Sequence, residues 1–173
     1  DAAAALTHPL EQYGVKFDDE ALREVVVESN GYPYFVQLWG AALTQDAARG
    51  SQFTKSSVHK VRPDFEEEKN ACYAERYGEL KRRGVLESAE RVAPLFIGAD
   101  GRIDEDAILS AMKARTKERT SDGASSRLDA LDHLVQLGYI WGDAAEGYLA
   151  GIPSLMDYVE SRAHGSHVTN RLT

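Results

Sequence analysis

The segment Glu28–Gly40, ESNGYPYFVQLWG, constrains this chain more than any other. An apolar helix ends, Gly31-Tyr32-Pro33 follows, and a second apolar helix begins. Glycine adopts left-handed backbone angles without a Cβ penalty, so Gly31 suits the C′ position of the first helix. Proline cannot continue that helix, but its fixed φ suits the first turn of the next. A sharp, fixed corner between two helices is the expected result. Taken alone, such a corner is architecture, a helix–helix turn.

The flanking pattern is helical in both directions. Ala2–Tyr13 predicts a helix, with Leu6 and Leu10 on one face and Pro9 placed to kink its end. Gly14 opens a link, Val15-Lys16-Phe17, and Asp18 or Asp19 is the expected N-cap of the second helix. Ala21, Leu22, Val25 and Val26 form one apolar face there; Phe35, Trp39, Ala42 and Leu43 do so in the third helix. The third helix is expected to fray towards a stop at Gly50. Thr54 is expected to cap a short fourth helix, Lys55–Val61, that Arg62-Pro63 breaks. Residues 2–63 thus form a four-helix unit, small for independent stability.

Beyond it, Asp64–Arg83 predicts a charged connector helix with an apolar stripe at Phe65, Tyr73, Tyr77 and Leu80. Val85–Phe96 is amphipathic, Asp100-Gly101 is a turn, and Arg102-Ile103 suits a very short strand. Asp104 is expected to cap a helix reaching about Ala114, with Ala107, Ile108, Ala111 and Met112 inward. A polar turn, Lys117–Gly123, precedes a helix over Ser125–Gly138 with Leu128, Leu131, Leu134 and Val135 inward. Tyr139-Ile140-Trp141 and Tyr148–Ile152 then flank a Gly-rich polar turn, a hairpin signal. Three helices followed at once by a hairpin is the order of a winged helix-turn-helix, here over residues 64–162. Pro153 starts a last helix to Ser161 with Leu155, Met156 and Val159 packing back, and 163–173 lacks periodicity, as a disordered or vector-derived tail would. The fold class expected is mainly α. Trp39, Trp141, Tyr139 and Tyr148 are expected as core or interdomain anchors.

Chemistry is constrained mostly by what the sequence lacks. There is no G-x-x-x-x-G-K-[ST], H-E-x-x-H, C-x-x-C or G-x-S-x-G, and the five histidines are scattered. Neither a catalytic constellation nor a metal set is expected. The single cysteine, Cys72, excludes an internal disulfide, fits a reducing cytoplasm and is expected to be buried in a helix. No apolar run approaches the roughly 20 residues of a membrane span. The opening Asp-Ala-Ala-Ala-Ala has neither a starting Met nor a basic run, as in a trimmed chain without a signal peptide. A net charge of −8 repels a polyphosphate backbone, which excludes a surface that is nucleic-acid-binding throughout but not a local basic face.

Three stretches carry a resemblance to a known class: His8–Leu22 (HPLEQYGVKFDDEAL), the GYPYFVQLWG corner and Leu134–Val159. Together they resemble the helical lid and winged helix of AAA+/STAND P-loop ATPases, and most closely their Orc-like members in archaea and bacteria. The resemblance covers about residues 2–162, the part of such proteins that follows the nucleotide-binding core. It implies that Gly31, Tyr32 and Pro33 lie against the base of bound ATP or ADP, with the phosphates held by an N-terminal ATPase core outside this sequence. The chain itself would hold no cofactor and catalyse nothing. The sensor arginine found on many such lids has no counterpart in Tyr34-Phe35-Val36-Gln37.

Two partners fit the second domain. A DNA duplex would be read by Ser125, Ser126 and Arg127, supported by the basic run Lys113, Arg115, Lys117 and Arg119. Asp129, Asp132, Asp143 and Glu146 would then approach phosphates, which opposes binding. The alternative is a protein-interaction or autoinhibitory module of a signalling ATPase, which fold alone does not exclude.

Overall fold

The computed structural model describes residues 2–11, 14–45, 51–113 and 121–169. Its elements run α1 (Ala2–Glu11), β1 (Lys16–Phe17), α2 (Asp19–Glu28), α3 (Pro33–Gln45), β2 (Gln52–Phe53), α4 (Lys55–Arg82), α5 (Leu86–Phe96), α6 (Glu105–Ala111), α7 (Ser121–Gln136), β3 (Ile140–Asp143), β4 (Gly147–Ala150) and α8 (Pro153–Thr169). The architecture is mainly helical, with two small two-stranded sheets among the described residues. The chain divides into two units, 1–72 and 73–173, parting within α4.

In the first unit α1 packs on α2 and α3, with Leu6 buried. Asp18 caps α2, its carboxylate accepting from the Ala21 N–H at 2.6 Å. The core gathers Val25, Phe35, Trp39, Leu43, Val58 and Phe65. Trp39 stacks on Phe65 with centroids 4.2 Å apart, and Phe35 meets Phe65 edge-on at 6.1 Å. The expected link at Val15-Lys16-Phe17 contains a strand instead. Lys16 pairs with Gln52 and Phe17 with Phe53 in parallel register, and the two phenyl rings lie 5.1 Å apart. Two residues are too few to show an alternating pattern, so the pairing leaves no periodic trace in the sequence.

The expected break at Arg62-Pro63 does not occur. Helix α4 runs through Pro63, so the short fourth helix and the connector are one element. The reason is burial. Val58, Val61 and Phe65 form one continuous stripe of buried residues across the proline, which is itself exposed. Cys72, expected to be buried, is only half-buried.

In the second unit α5 packs chiefly on α8, with α6 and α7 against its other sides. Ala89, Val92, Ala93 and Phe96 supply the buried face of α5; Leu155, Met156 and Val159 supply that of α8. The last turns of α4 join this core. Tyr73 and Tyr77 lie 5.3 and 6.2 Å from Tyr158, and the Tyr73 hydroxyl donates to Ser154 Oγ at 2.6 Å.

Strands β3 and β4 form an antiparallel hairpin, Ile140 opposite Ala150 through Asp143 opposite Gly147. Ile103, where a very short strand was expected, bridges Tyr148 as a third, one-residue edge. Asp143 closes the turn by accepting from the Ala145 and Glu146 N–H groups, both at 2.9 Å. At Gly151 a Cβ would lie 1.9 Å from the Gly138 carbonyl oxygen, so only glycine lets the hairpin return against the end of α7.

Several expectations for this half need correction. Helix α7 begins at Ser121, so Ser121, Asp122 and Gly123 are helical rather than part of a polar turn; residues 114–120 lie outside the described ones. Leu131 and Leu134 are buried as expected, but Leu128, one turn earlier, is 44% exposed because it lies outside the layer they fill. Ala107 is exposed. Trp141 is 56% exposed, whereas Trp39, Tyr139 and Tyr148 are buried. Asp104 occupies the N-cap of α6 without a side-chain bond. The tail is not structureless over 163–169. Helix α8 continues to Thr169, although residues 161–165 are mostly exposed, so propagation of backbone hydrogen bonds rather than an apolar face extends it. Residues 46–50, including the expected stop at Gly50, and 170–173 are outside the described ones.

Candidate functional site

The corner after α2 turns on two left-handed residues, not one. Ser29 is the C-cap, Asn30 follows with φ 50°, and Gly31 has φ 68°. Gly31 is therefore one place beyond the expected C′ position, which Asn30 fills. Asparagine tolerates this region better than most side chains. The Tyr32 N–H donates to the Ser29 carbonyl at 2.9 Å and closes the turn. The Tyr32 carbonyl then accepts from Val36 at 3.1 Å and starts α3, with Pro33 as its first residue.

This geometry leaves Gly31 and Pro33 exposed on one wall of a pocket of about 480 Å³. The opposite wall is α1, through Leu6 and Pro9, and the floor is α3, through Val36 and Gly40. No charged side chain lines it among the described residues. Its polar side chains are Gln37 and Thr44, and the rest of the lining is apolar or glycine. Tyr32 is not part of the wall. Its ring packs edge-on against Phe35 at 5.0 Å and Tyr34 at 6.4 Å. Of the three residues expected against a base, the structure brings two to the slot.

Behind the corner lies a clamp that the sequence reading missed. Arg62 of α4 bonds to Glu24 and, at 2.6 Å, to Glu28, one turn apart on α2. His59 adds a 3.0 Å contact to Arg62 through Nδ1. The hydrogen bond from Arg62 holds the Glu24 carboxyl below its ordinary pKa, against an opposing effect of burial. The Glu24–Glu28 spacing of one helical turn was a visible signal, but it named no partner.

In the second unit the described residues include only part of the expected duplex contacts. Ser125 and Ser126 fall in the second turn of α7 rather than at its start, because the helix begins four residues earlier than expected. Ser126 is exposed. Arg127 is half-buried, and its Nε is enclosed without a hydrogen-bond partner. Lys113 is exposed, with its carbonyl accepting from Arg91 at 2.7 Å. Arg115, Lys117 and Arg119 lie outside the described residues. Asp129, Asp132, Asp143 and Glu146 are all exposed.

Burial raises three tyrosine hydroxyls in this unit; that of Tyr77, which donates to Glu90 at 2.8 Å, is pushed up to about 12. Burial, with Glu105 as hydrogen-bond acceptor, pushes Tyr148 up to about 12. Burial raises Tyr139 further, and its hydroxyl donates to the Ala89 carbonyl at 3.3 Å. The Tyr148 and Tyr139 bonds tie the hairpin side of the unit to its helices. Among the described residues no three His, Cys, Asp or Glu side chains converge as a metal site, and no helix is long and apolar enough to cross a membrane. Comparison with protein-family models, curated proteins and solved structures returns no match.

Proposed function

We propose that this chain is the C-terminal module of a larger cytoplasmic P-loop ATPase of the AAA+/STAND type. Its first unit acts as a helical lid over the base of ATP or ADP. Its second, a winged helix, engages a partner outside the chain. One observation carries the lid reading: Gly31 and Pro33 form a wall of an uncharged slot of ring-accepting size. A part that covers a base while another part holds the phosphates needs that combination. The chain then contributes no catalytic group, and the nucleotide-binding core is its obligate partner. Movement of the lid with nucleotide state would carry the winged helix with it.

The test is a titration of isotopically labelled chain with adenosine and with ADP, followed by amide NMR. Adenosine should shift Gly31, Val36 and Gly40 as far as ADP does, at dissociation constants of about 1 mM, where binding is worth only about 4 kcal/mol. Saturating ADP that leaves those amides unmoved would remove the lid reading.

For the partner of the second unit, exposed Trp141 and Leu149 favour a protein over a duplex. They are direct cross-strand partners in the hairpin and are 56% and 40% exposed. The duplex reading by Ser125, Ser126 and Arg127 has to overcome four exposed acids. A Trp141→Ser variant that loses association with a separately expressed core while keeping its fold would support the protein partner. Salt-dependent duplex binding would support DNA.

A further inference from the structure

We infer that the second unit holds a binding pocket for a small phosphate-bearing anion, independent of the lid reading and of any duplex. The pocket, of about 450 Å³, lies where α4 hands over to α5 and where α7 passes them. Arg83, Arg91 and Arg127 line it, with the hydroxyls of Ser88 and Ser126. These residues come from the turn after α4 and from α5 and α7, so their convergence is a product of the fold.

The three guanidinium groups are not equally engaged. Arg91 is committed to the protein, donating to Glu87 at 2.5 Å and to the Lys113 carbonyl at 2.7 Å. Its pairing also neutralises Glu87, one of the two acids on the pocket wall. Arg127 is different: it stands on the pocket wall, and among the described residues its guanidinium makes no hydrogen bond or ion pair. Its Nε is enclosed, and the remaining donors of a guanidinium form a planar fork suited to phosphate oxygens. Arg83, exposed at the rim, can supply a second cation.

The first turn of α5 adds to the same wall. Its N-cap, Val85, has no side-chain acceptor to offer the turn's N–H groups, and Gly84, Val85, Glu87 and Ser88 all face the pocket. A tetrahedral phosphate has enough acceptors to satisfy the Arg127 fork, a serine hydroxyl and these N–H groups together. Asp129 stands on the same wall. It disfavours an extended polyanion, which would have to pass it, more than a compact monophosphate held by Arg127.

The probes are inorganic phosphate and adenosine monophosphate, added to the full chain at constant ionic strength against a chloride control. The readouts are amide NMR shifts and thermal midpoint. Phosphate is expected to move the Leu86, Glu87, Ser88 and Ser126 amides and raise the midpoint, where chloride does neither. If the natural source is a phosphomonoester, adenosine monophosphate produces the same shifts at lower concentration; if it is free phosphate, inorganic phosphate is the tighter. Either result supports the pocket. Arg127→Gln should weaken binding about tenfold or more, as expected for losing a charge-assisted bond. Arg83→Gln, at an exposed rim position where folding is not at risk, should weaken it several-fold. Arg82→Gln, a neighbouring exposed cation outside the pocket wall, should leave it unchanged. Phosphate shifts no larger than those of chloride would overturn the inference, as would equal binding by the Arg83→Gln and Arg82→Gln variants.

Discussion

Trp39 shows how a residue can be both the best and the worst-satisfied member of a core. Its ring stacks on Phe65 at 4.2 Å and 19°, and it is fully buried. Its Nε1 nevertheless has no acceptor. The unpaired N–H costs about 1–3 kcal/mol, so deleting it offsets part of the loss when the ring shrinks. Trp39→Phe is therefore expected to change stability by no more than about 1–2 kcal/mol, whereas Trp39→Ala should cost about 3–5 kcal/mol. Urea denaturation followed by circular dichroism distinguishes the two. The Glu24–Arg62 bond makes a second prediction at this scale. A carboxyl whose folded pKa lies below its unfolded value stabilises the fold above the unfolded pKa, and that stabilisation is lost as pH falls through the folded one. Glu24→Gln should therefore be less stable than the parent at pH 7. Between about pH 5 and 3 it should lose stability less steeply, because it has no carboxylate at this position to protonate. Thermal midpoints taken across that range would check the crossover in slope.

At the scale of elements, helix α4 carries the clearest lesson. A proline inside a helix removes a backbone bond and crowds the preceding turn, and a substitution to alanine restores the N–H. Since proline is about 3 kcal/mol worse than alanine in a helix interior, Pro63→Ala is expected to stabilise the chain by about 1–3 kcal/mol, read as a higher urea midpoint with an unchanged slope. An unchanged or lower midpoint would mean that the helix is already relaxed around the proline. The same helix explains why the sequence misled. The breaker rule concerns one residue and its immediate neighbours, while the burial of Val58, Val61 and Phe65 on one stripe is a tertiary fact that overrides it. Where apolar spacing and burial agree, as in α2, α3 and α5, the elements were legible from the residues alone, and the hairpin was legible from its Gly-rich polar turn. Where an element is two residues long, as in β1 and β2, or extends without an apolar face, as at the end of α8, there was no pattern to find. The candidate sites divide in the same way. The left-handed turn before Pro33 follows from residue chemistry, although it starts at Asn30 rather than Gly31. The slot that α1 closes beside it does not, nor does the enclosure of the Arg127 Nε, since a sequence marks an arginine as a cation and not by its burial.

For the whole molecule the balance of charge sets limits that no single residue does. The chain carries −8, and the acids of α7 and of the hairpin turn are exposed on the unit expected to meet a duplex. Arg127 is partly enclosed, Arg102 is engaged by Glu146 at 3.4 Å and by the Gly147 carbonyl at 2.9 Å, and Arg91 is paired with Glu87. Among the described residues, Lys81, Arg82, Arg83 and Lys113 are exposed and able to displace counterions from a phosphate backbone. Each displaced counterion contributes about −0.9 to the slope of log affinity against log salt. With two or three contacts made at once, the slope for a random duplex is expected to be about −2 to −3, and the dissociation constant weaker than about 10⁻⁴ M at physiological salt. Fluorescence anisotropy of a labelled duplex between 50 and 200 mM salt would measure both. A slope beyond about −6 would require a continuous basic face, for which the sequence offers two basic groups, Lys81-Arg82-Arg83 and Lys113, Arg115, Lys117 and Arg119. That result would move the second unit from a protein partner to a nucleic acid. It would also require both groups to reach the duplex together, because neither alone holds more than four cations.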